Sequence, residues 1–413
     1  MRRSILLIFM LAGSARAEDL AAPPAIDATP TVEFTAATGF ASTLPELAGA
    51  RESSAIVART REQLPALWAP LVVRLMPQLA FGTPSGAGVR LGIEQAVPLT
   101  SRRDAARASL DAETQRLAAE AAALEIEARL DIARAWIDSW SAGATLVEAR
   151  RTRDLATQIV AVTQRGLTAG AVTTPELADA RALLASAETA VLDAEGRARD
   201  ASFRLGAAIA APGPRRATGE LPSVVLPPLA EQRARLAAIA DIPMVRARRI
   251  AAIASRARAD EATAQRTTEI LLGGELTLDP GGDRRVAATV GIAWPLHDRG
   301  ERERGEWLAE ARQLEGEAER ATRIARFDLA QALHDVEHSG ELLDEIDRAL
   351  VPAVDDAAAR RRRAYELGES TLVEVLAAER TAIAGHQTAI AARADHAWAL
   401  VRARALLDAG GQR

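Results

Sequence analysis

Apolar and polar residues follow two rhythms along this chain, and the rhythms come in the same order twice. Between residues 68 and 99, Leu71, Val73, Leu75, Pro77, Leu79 and Phe81 recur at every second position. After the turn-like "TPSGAG", so do Val89, Leu91, Ile93, Gln95 and Val97. A period of two puts these side chains on one face of a strand, so the segment predicts a β-hairpin whose strands are long enough to cross a bilayer at a tilt. A second hairpin is expected over 269–279 and 284–296, joined by "PGGD". Leu272, Leu276 and Leu278 alternate with polar residues on its first strand. Val286, Ala288, Val290, Ile292 and Trp294 line one face of the other.

Each hairpin leads into a long run of helix formers. No proline occurs from Thr100 to Thr174, and a helix continuous from 100 to about 164 would be on the order of 100 Å long. Gly166 and Gly170 are expected to end it. "TTPELADAR" restarts a helix with Thr174 as N-cap, Pro175 at the first helical position and Glu176 in the first turn. That helix should reach about residue 209. In the second half, a helix is expected from near Asp241, then one over 298–367 bent near Pro352. Gly368 breaks the pattern within "YELGESTLVEVLAAER", and a last helix spans 371–408. Seven-residue rows support close helix packing. Thr322, Leu329, Val336, Leu343 and Leu350 form one, and Ala318, Ala325, Ala332, Ser339 and Ile346 the other, a large-and-small pairing suited to antiparallel coiled coils.

The hairpin exits pair Pro98 with Pro295 and the helix breaks pair Gly170 with Gly368, offsets of 197 and 198 residues. Landmarks so far apart agreeing to one residue imply duplication. The domain reading is a first repeat at 45–211, opening on a helix over 45–63, and a second at 229–409. Residues 212–228, with Pro212, Pro214, Pro222, Pro227 and Pro228, form a linker, and 18–44 are extended or loosely ordered.

Composition narrows the class. "MRRSILLIFMLAGSARA" has two arginines, a short apolar run and Ala15-Arg16-Ala17, the pattern of a secretory signal peptide over 1–17. Its removal takes three arginines and no acid, moving the formal charge from −5 to −8. An acidic secreted chain is a poor nucleic-acid binder. All 51 basic residues are arginine, hydrophobic content is 48% and aromatic content only 3%, as Ala-rich packed helices require. The absence of cysteine excludes disulfides, thiolate metal sites and cysteine nucleophiles. Beyond the signal, no apolar run approaches the length of a transmembrane helix, so a mature chain that enters a membrane must do so with strands. Four strands cannot close a barrel, and an open edge cannot face lipid. Two copies would pool eight strands and three would pool twelve. A soluble hairpin platform on a coiled-coil protein is the other reading of the same pattern.

The order of these elements, together with the motif at Tyr365, Gly368, Glu374, Leu376 and Ala378 within "YELGESTLVEVLAAER", resembles the TolC family of outer-membrane efflux ducts. The fold this implies is mainly α with a small β part. Duplicated long-helix hairpins would form a trimeric α-barrel, and four strands per chain a shared 12-stranded transmembrane barrel. Within that family, "VGIAWPLHDRGERERGEW" and the run from Thr371 to Leu406 look most like the CzcC branch, which serves heavy-metal pumps, with a departure at His297. The resemblance implies a homotrimer in outer-membrane lipid, with its helices in the periplasm. It also implies a periplasmic adaptor and an inner-membrane pump of the resistance-nodulation-division type.

Candidate sites follow from both readings. Gly170 and Gly368 suit left-handed helix C-caps. The resemblance adds that Val172, Thr173, Ser370, Thr371 and Leu372 would face the adaptor, and that Glu374 would narrow the pore. Three copies of Glu374 would form a carboxylate ring whose members raise one another's pKa. His334 and His338 lie four apart on a helix, a spacing that can chelate a metal. They fall off the heptad seam and are only a weak candidate pair. No catalytic constellation or cofactor motif is found, and a non-enzyme is expected. The alternatives are a duct for drugs or for type I protein secretion and, in a different class, a secreted periplasmic coiled-coil scaffold.

Overall fold

The computed structural model describes residues 26–64, 72–80, 86–98, 102–170, 172–266, 268–279, 283–293 and 300–409. The signal peptide, residues 18–25, the strand starts before 72, Phe81, Trp294, Pro295 and His297 lie outside the described residues. In chain order the elements are β1 (Thr31–Val32), α1 (Phe34–Gly39), α2 (Pro45–Glu62), β2 (Val72–Ala80), β3 (Gly86–Pro98), α3 (Arg102–Thr168) and α4 (Thr174–Ala208). Then come β4 (Arg216–Ala217), α5 (Leu229–Ala237), α6 (Pro243–Gln265), β5 (Glu269–Leu278), β6 (Arg284–Ala293), α7 (Glu301–Glu345), α8 (Val351–Glu366) and α9 (Leu372–Ala409).

With 67 residues, α3 is about 100 Å long. It packs on α2, α4, α6 and α9, while α7 packs on α6 and α9. The close approach is possible because the buried rows are mostly alanine. Ala156, Ala180, Ala187, Ala194, Ala198, Ala318, Ala325, Ala332, Ala382 and Ala389 are all buried along these seams.

Three elements differ from the sequence expectation. Residues 26–44 are ordered. Ala37, Ala41 and Leu44 are buried with Trp136, Ile132, Ile137 and Leu205, and the indole N–H of Trp136 donates to the Val32 carbonyl at 2.9 Å. The proline-rich stretch is likewise tied down. Its β4 pairs in parallel with β1, and the Ala217 N–H donates to Ser139 Oγ at 3.1 Å. Third, the bend near Pro352 is a single π turn, Ile346–Leu350, in which the Val351 N–H bonds the Ile346 carbonyl five residues back. Proline has no N–H to continue an α ladder, and the wider turn takes up that gap. The turn also shifts the seam by one residue. Leu350, which the heptad places in the seam, is exposed, while Val351, Val354 and Ala358 pack inward.

Candidate functional site

The two hairpins join into one antiparallel sheet of order β2-β3-β5-β6. Its register stacks Leu75 beside Leu91, Leu91 beside Leu276, and Leu276 beside Val286. Val73, Ile93, Leu272, Val290 and Ile292 share that face, so the period-two residues of all four strands form one apolar surface. It is strongly exposed, to 84% at Val286, 76% at Val290 and 69% at Leu75. The opposite face is ionic. Arg74 meets Glu94 at 3.3 Å, and Arg90 meets Glu275 at 3.0 Å across β3 and β5. A sheet apolar on one side and charged on the other, with strands of 9 to 13 residues, has the make-up of a transmembrane barrel wall. Among the described residues, the outer strands β2 and β6 each keep an edge with no partner. No helix among the described residues is long and apolar enough to cross a membrane. At the base of the sheet Arg102 pairs with Glu269 at 2.8 Å, fixing α3 to β5.

The far ends of the helices return through two closely matched tips. Gly170 and Gly368 adopt φ of +74° and +76°, the left-handed cap conformation that a side chain would strain. At the second tip the Glu369 N–H reaches the Ala364 carbonyl at 2.8 Å and the Gly368 N–H the Tyr365 carbonyl at 3.0 Å, a Schellman closure. α3 passes through Gly166 and ends at Thr168. The N-cap of α4 is Thr173, not Thr174. The Thr173 N–H donates to Glu176 Oε2 at 2.7 Å and Glu176 N–H returns to Thr173 Oγ1 at 3.5 Å, a capping box that the spacing T-T-P-E encodes when counted from Thr173. The second tip repeats it: Thr371 N–H to Glu374 Oε2 at 3.0 Å, and Glu374 N–H to Thr371 Oγ1 at 3.3 Å.

These contacts recast several expected roles. Leu372 does not face outward. It is 1% exposed and packs with Leu376, Ala156, Ala180 and Tyr365, shaping the tip from within. Thr173, Thr371, Gly170 and Gly368 are exposed, and Val172 and Ser370 are half-buried. Glu374 is exposed and engaged in capping. Its pKa is held below the usual carboxylate value, first by the Ser370 hydroxyl at 2.6 Å, then by the Thr371 N–H, with Arg361 adding at 3.6 Å. Within one chain that direction is opposite to the rise expected of a carboxylate ring. His334 and His338 stack with ring centroids 6.0 Å apart on an exposed face. Among the described residues no group of three or more metal-ligating side chains joins them or forms elsewhere.

Two features were missed from sequence. Trp136 and Trp140, four apart in an alanine-rich helix, anchor the N-terminal segment and the proline-rich stretch through the Val32 and Gly219 carbonyls. His386 bridges two carboxylates on different helices, Glu148 at 2.9 Å and Asp355 at 2.8 Å. The signal was present in α9, where Leu372, Glu379 and His386 fall seven apart on one row, buried at the first two and half-buried at the third.

No family model matches the sequence, and no curated protein is similar to it. Solved structures do resemble it. CusC, described in terms of transmembrane channel formation, matches at a TM-score of 0.74 and 16% identity, over 94% of this chain and 95% of that one. The outer membrane protein VceC of Vibrio cholerae matches at 0.72 and 16%, over 92% and 96%. The Neisseria gonorrhoeae MtrE outer membrane channel, in its open state, matches at 0.72 and 20%, over 92% and 90%. At these identities the likeness is one of fold. The chain shares, along nearly its whole length, the fold of these channels: mainly α, with a small amphipathic sheet.

Proposed function

We propose that the chain is the outer-membrane member of a tripartite efflux system of the TolC type, a passive duct rather than an enzyme. Three copies join β2 of one to β6 of the next, closing a twelve-stranded barrel from three four-stranded sheets. Closure is needed because each unpaired backbone group in lipid costs about several kcal/mol. The long helices extend that barrel into the periplasm. An adaptor docks at the tips around Gly170–Thr173 and Gly368–Thr371, and an inner-membrane pump of the resistance-nodulation-division type supplies the energy. Heavy-metal cations are the proposed cargo, on the CzcC-like motifs and the acidic tip at Glu374. The observation that carries the duct is the single sheet with an exposed apolar face and an ion-paired opposite face.

The duct is tested by fractionation and reconstitution. The expected product is a heat-sensitive trimer that leaves the outer-membrane fraction only with detergent and conducts ions in planar bilayers. A monomer in the soluble periplasmic fraction would replace the duct with the scaffold reading. The cargo is tested by deleting the gene and challenging cells with zinc, cobalt, cadmium, nickel, copper and silver beside hydrophobic drugs. Hypersensitivity confined to cations, restored by the wild-type gene, is the expected result. Hypersensitivity to drugs alone would keep the duct and discard the metal.

A further inference from the structure

Between its two apolar contacts with α9, the long helix α3 makes a polar one. Toward the tip, Ala156 shares a buried cluster with Leu372 and Leu376; toward the sheet, Ile132 and Ile137 share one with Ala394 and Ala397. In the interval a cavity of about 490 Å³ opens among α3, α8 and α9, and His386 projects into it from α9. Its Nδ1 lies 2.9 Å from Glu148 Oε1 on α3, and its Nε2 lies 2.8 Å from Asp355 Oδ1 on α8. The histidine side chain is 18% exposed.

An ionised carboxylate only accepts hydrogen bonds, and a neutral imidazole has only one N–H to give. A ring with a carboxylate oxygen at each nitrogen is therefore satisfied only as the imidazolium. The charges facing it lead to the same conclusion. From α3 come Glu148 and Arg151, 3.9 Å apart; from α8 come Asp355 and Arg362; from α9 itself comes Glu379, buried and 2.9 Å from Arg362 Nε. Arg150, at the rim, is engaged with Asp27 and Glu195, and Asp154 with Arg153. Of the three remaining acids, Glu148 has Arg151 beside it and Glu379, whose pKa burial raises, has Arg362, which leaves Asp355 to a positive charge on His386.

We propose that His386 is a protonation-controlled clamp that holds the first helical pair, α3 and α4, against the second, α8 and α9. With the proton on, both carboxylates are bridged. With it off, one nitrogen lone pair faces a carboxylate and the cavity keeps an uncompensated negative charge, which drives α3 away. The α8 side is the less free to yield, because a side chain at Gly385 would come within 3.0 Å of Val354 Cγ2, so these two helices already touch. The contact that breaks is thus the one to Glu148. Burial alone would push the His386 pKa down, but Glu148 and then Asp355 outweigh it and the net direction is up from 6.5. A raised pKa means that the clamp is fully closed below that usual value and releases as pH climbs through the higher, folded one. The clamp stands on the chain's own geometry; only its consequence for traffic through the tips rests on the duct reading.

Because the chain has no cysteine, Ala169→Cys and Glu369→Cys can carry spin labels on the two tips without background. Distances between them are measured on the full-length assembly in lipid nanodiscs at about pH 5.5 and about pH 9, spanning histidine titration. The expected result is a narrow distribution at the lower pH and a longer, broader one at the higher. His386→Arg, a permanent cation, should stay narrow at both, and His386→Gln broad at both. Should the glutamine variant not assemble, Asp355→Asn, expected to weaken the pH response, takes its place. Distances that do not respond to pH, or a response that survives in His386→Arg, overturn the clamp. Conductance without a pH-dependent distance would keep the duct and lose the clamp, and the reverse pattern would do the opposite.

Discussion

The two helical returns of this chain share a design and differ by one residue. Counting from the strands, Ala121, Ile132 and Ala149 of α3 occupy buried positions matched by Ala318, Leu329 and Ile346, each 197 residues later. Past the π turn the match becomes 198. Ala156 corresponds to Val354, Gly170 to Gly368, Thr173 to Thr371 and Glu176 to Glu374. The additional residue is taken up in the turn Ile346–Leu350, which the first return lacks. A helix that gains one residue would otherwise rotate everything beyond it by about 100° and carry its buried face into solvent. Widening a single turn confines the damage to one residue, Leu350, and the seam resumes at Val351. The polar clamp is also peculiar to the second return. Glu379 and His386 correspond by position to Arg181 and Glu188, both exposed.

The largest expected difference between the returns lies at Leu372 and its counterpart Thr174. Leu372 is fully buried and Thr174 exposed. Leu372→Ala should cost about 2–5 kcal/mol, as truncations of buried leucine do, while Thr174→Ala should stay within about 0.5 kcal/mol. Urea-unfolding midpoints of the detergent-solubilised protein measure both, and equal shifts would mean that the tips are packed alike after all.

Next in size is deletion of Leu350, which makes the two arms the same length. The π turn would close to an α turn and bring the Pro352 ring against the carbonyl four residues back, a clash of about 3 kcal/mol or more. Adding Pro352→Ala to the deletion should recover most of that loss. A deletion harmless on its own would show that the additional residue lies elsewhere in the arm.

This comparison also shows what could be read from the sequence. The strands, the long helices and the two glycine breaks were legible because each rests on a local rule: a period of two, a run without proline, a positive φ. The offset of one residue was legible too, but not its location. A π turn is a response to Pro352 and to a seam on another helix, and no local propensity encodes it. The order of residues 26–44 and 212–228 was hidden for the same reason. Neither segment has a periodic pattern long enough to predict an element, and both are placed by tertiary contacts, among them those to Trp136, Ser139 and Trp140 on α3. The outward role expected of Leu372 failed because proximity to a turn says nothing about which way a side chain points.

A smaller and deliberately equal effect is expected at the capping threonines. Thr173→Ala and Thr371→Ala each remove one side-chain acceptor from an exposed helix start, at about 1 kcal/mol apiece. Amide exchange at Glu176 and Glu374, the two residues whose N–H groups these hydroxyls receive, should accelerate by similar factors. A markedly larger effect at Thr371 would indicate that the second tip carries additional load, as an adaptor-facing or constricting tip would.

The smallest effect separates the two tips most finely. Both capping carboxylates have a lowered pKa, Glu176 through the Thr173 N–H and then its hydroxyl, Glu374 through Ser370 and then the Thr371 N–H. A depressed folded pKa means that the cap is intact above the usual value of 4.5 and weakens as pH falls through the lower, folded one. Both tips should therefore loosen only in acid, which carboxyl carbon chemical shifts followed over that range would record. Glu176 then serves as a reference built into the same molecule. If three Glu374 side chains converge in the assembled duct, their mutual repulsion raises that pKa, and Glu374 titrates above Glu176 in the trimer despite its third polar contact. If the two titrate together, Glu374 is a helix cap like its counterpart, and any constriction of the pore must be sought at other residues.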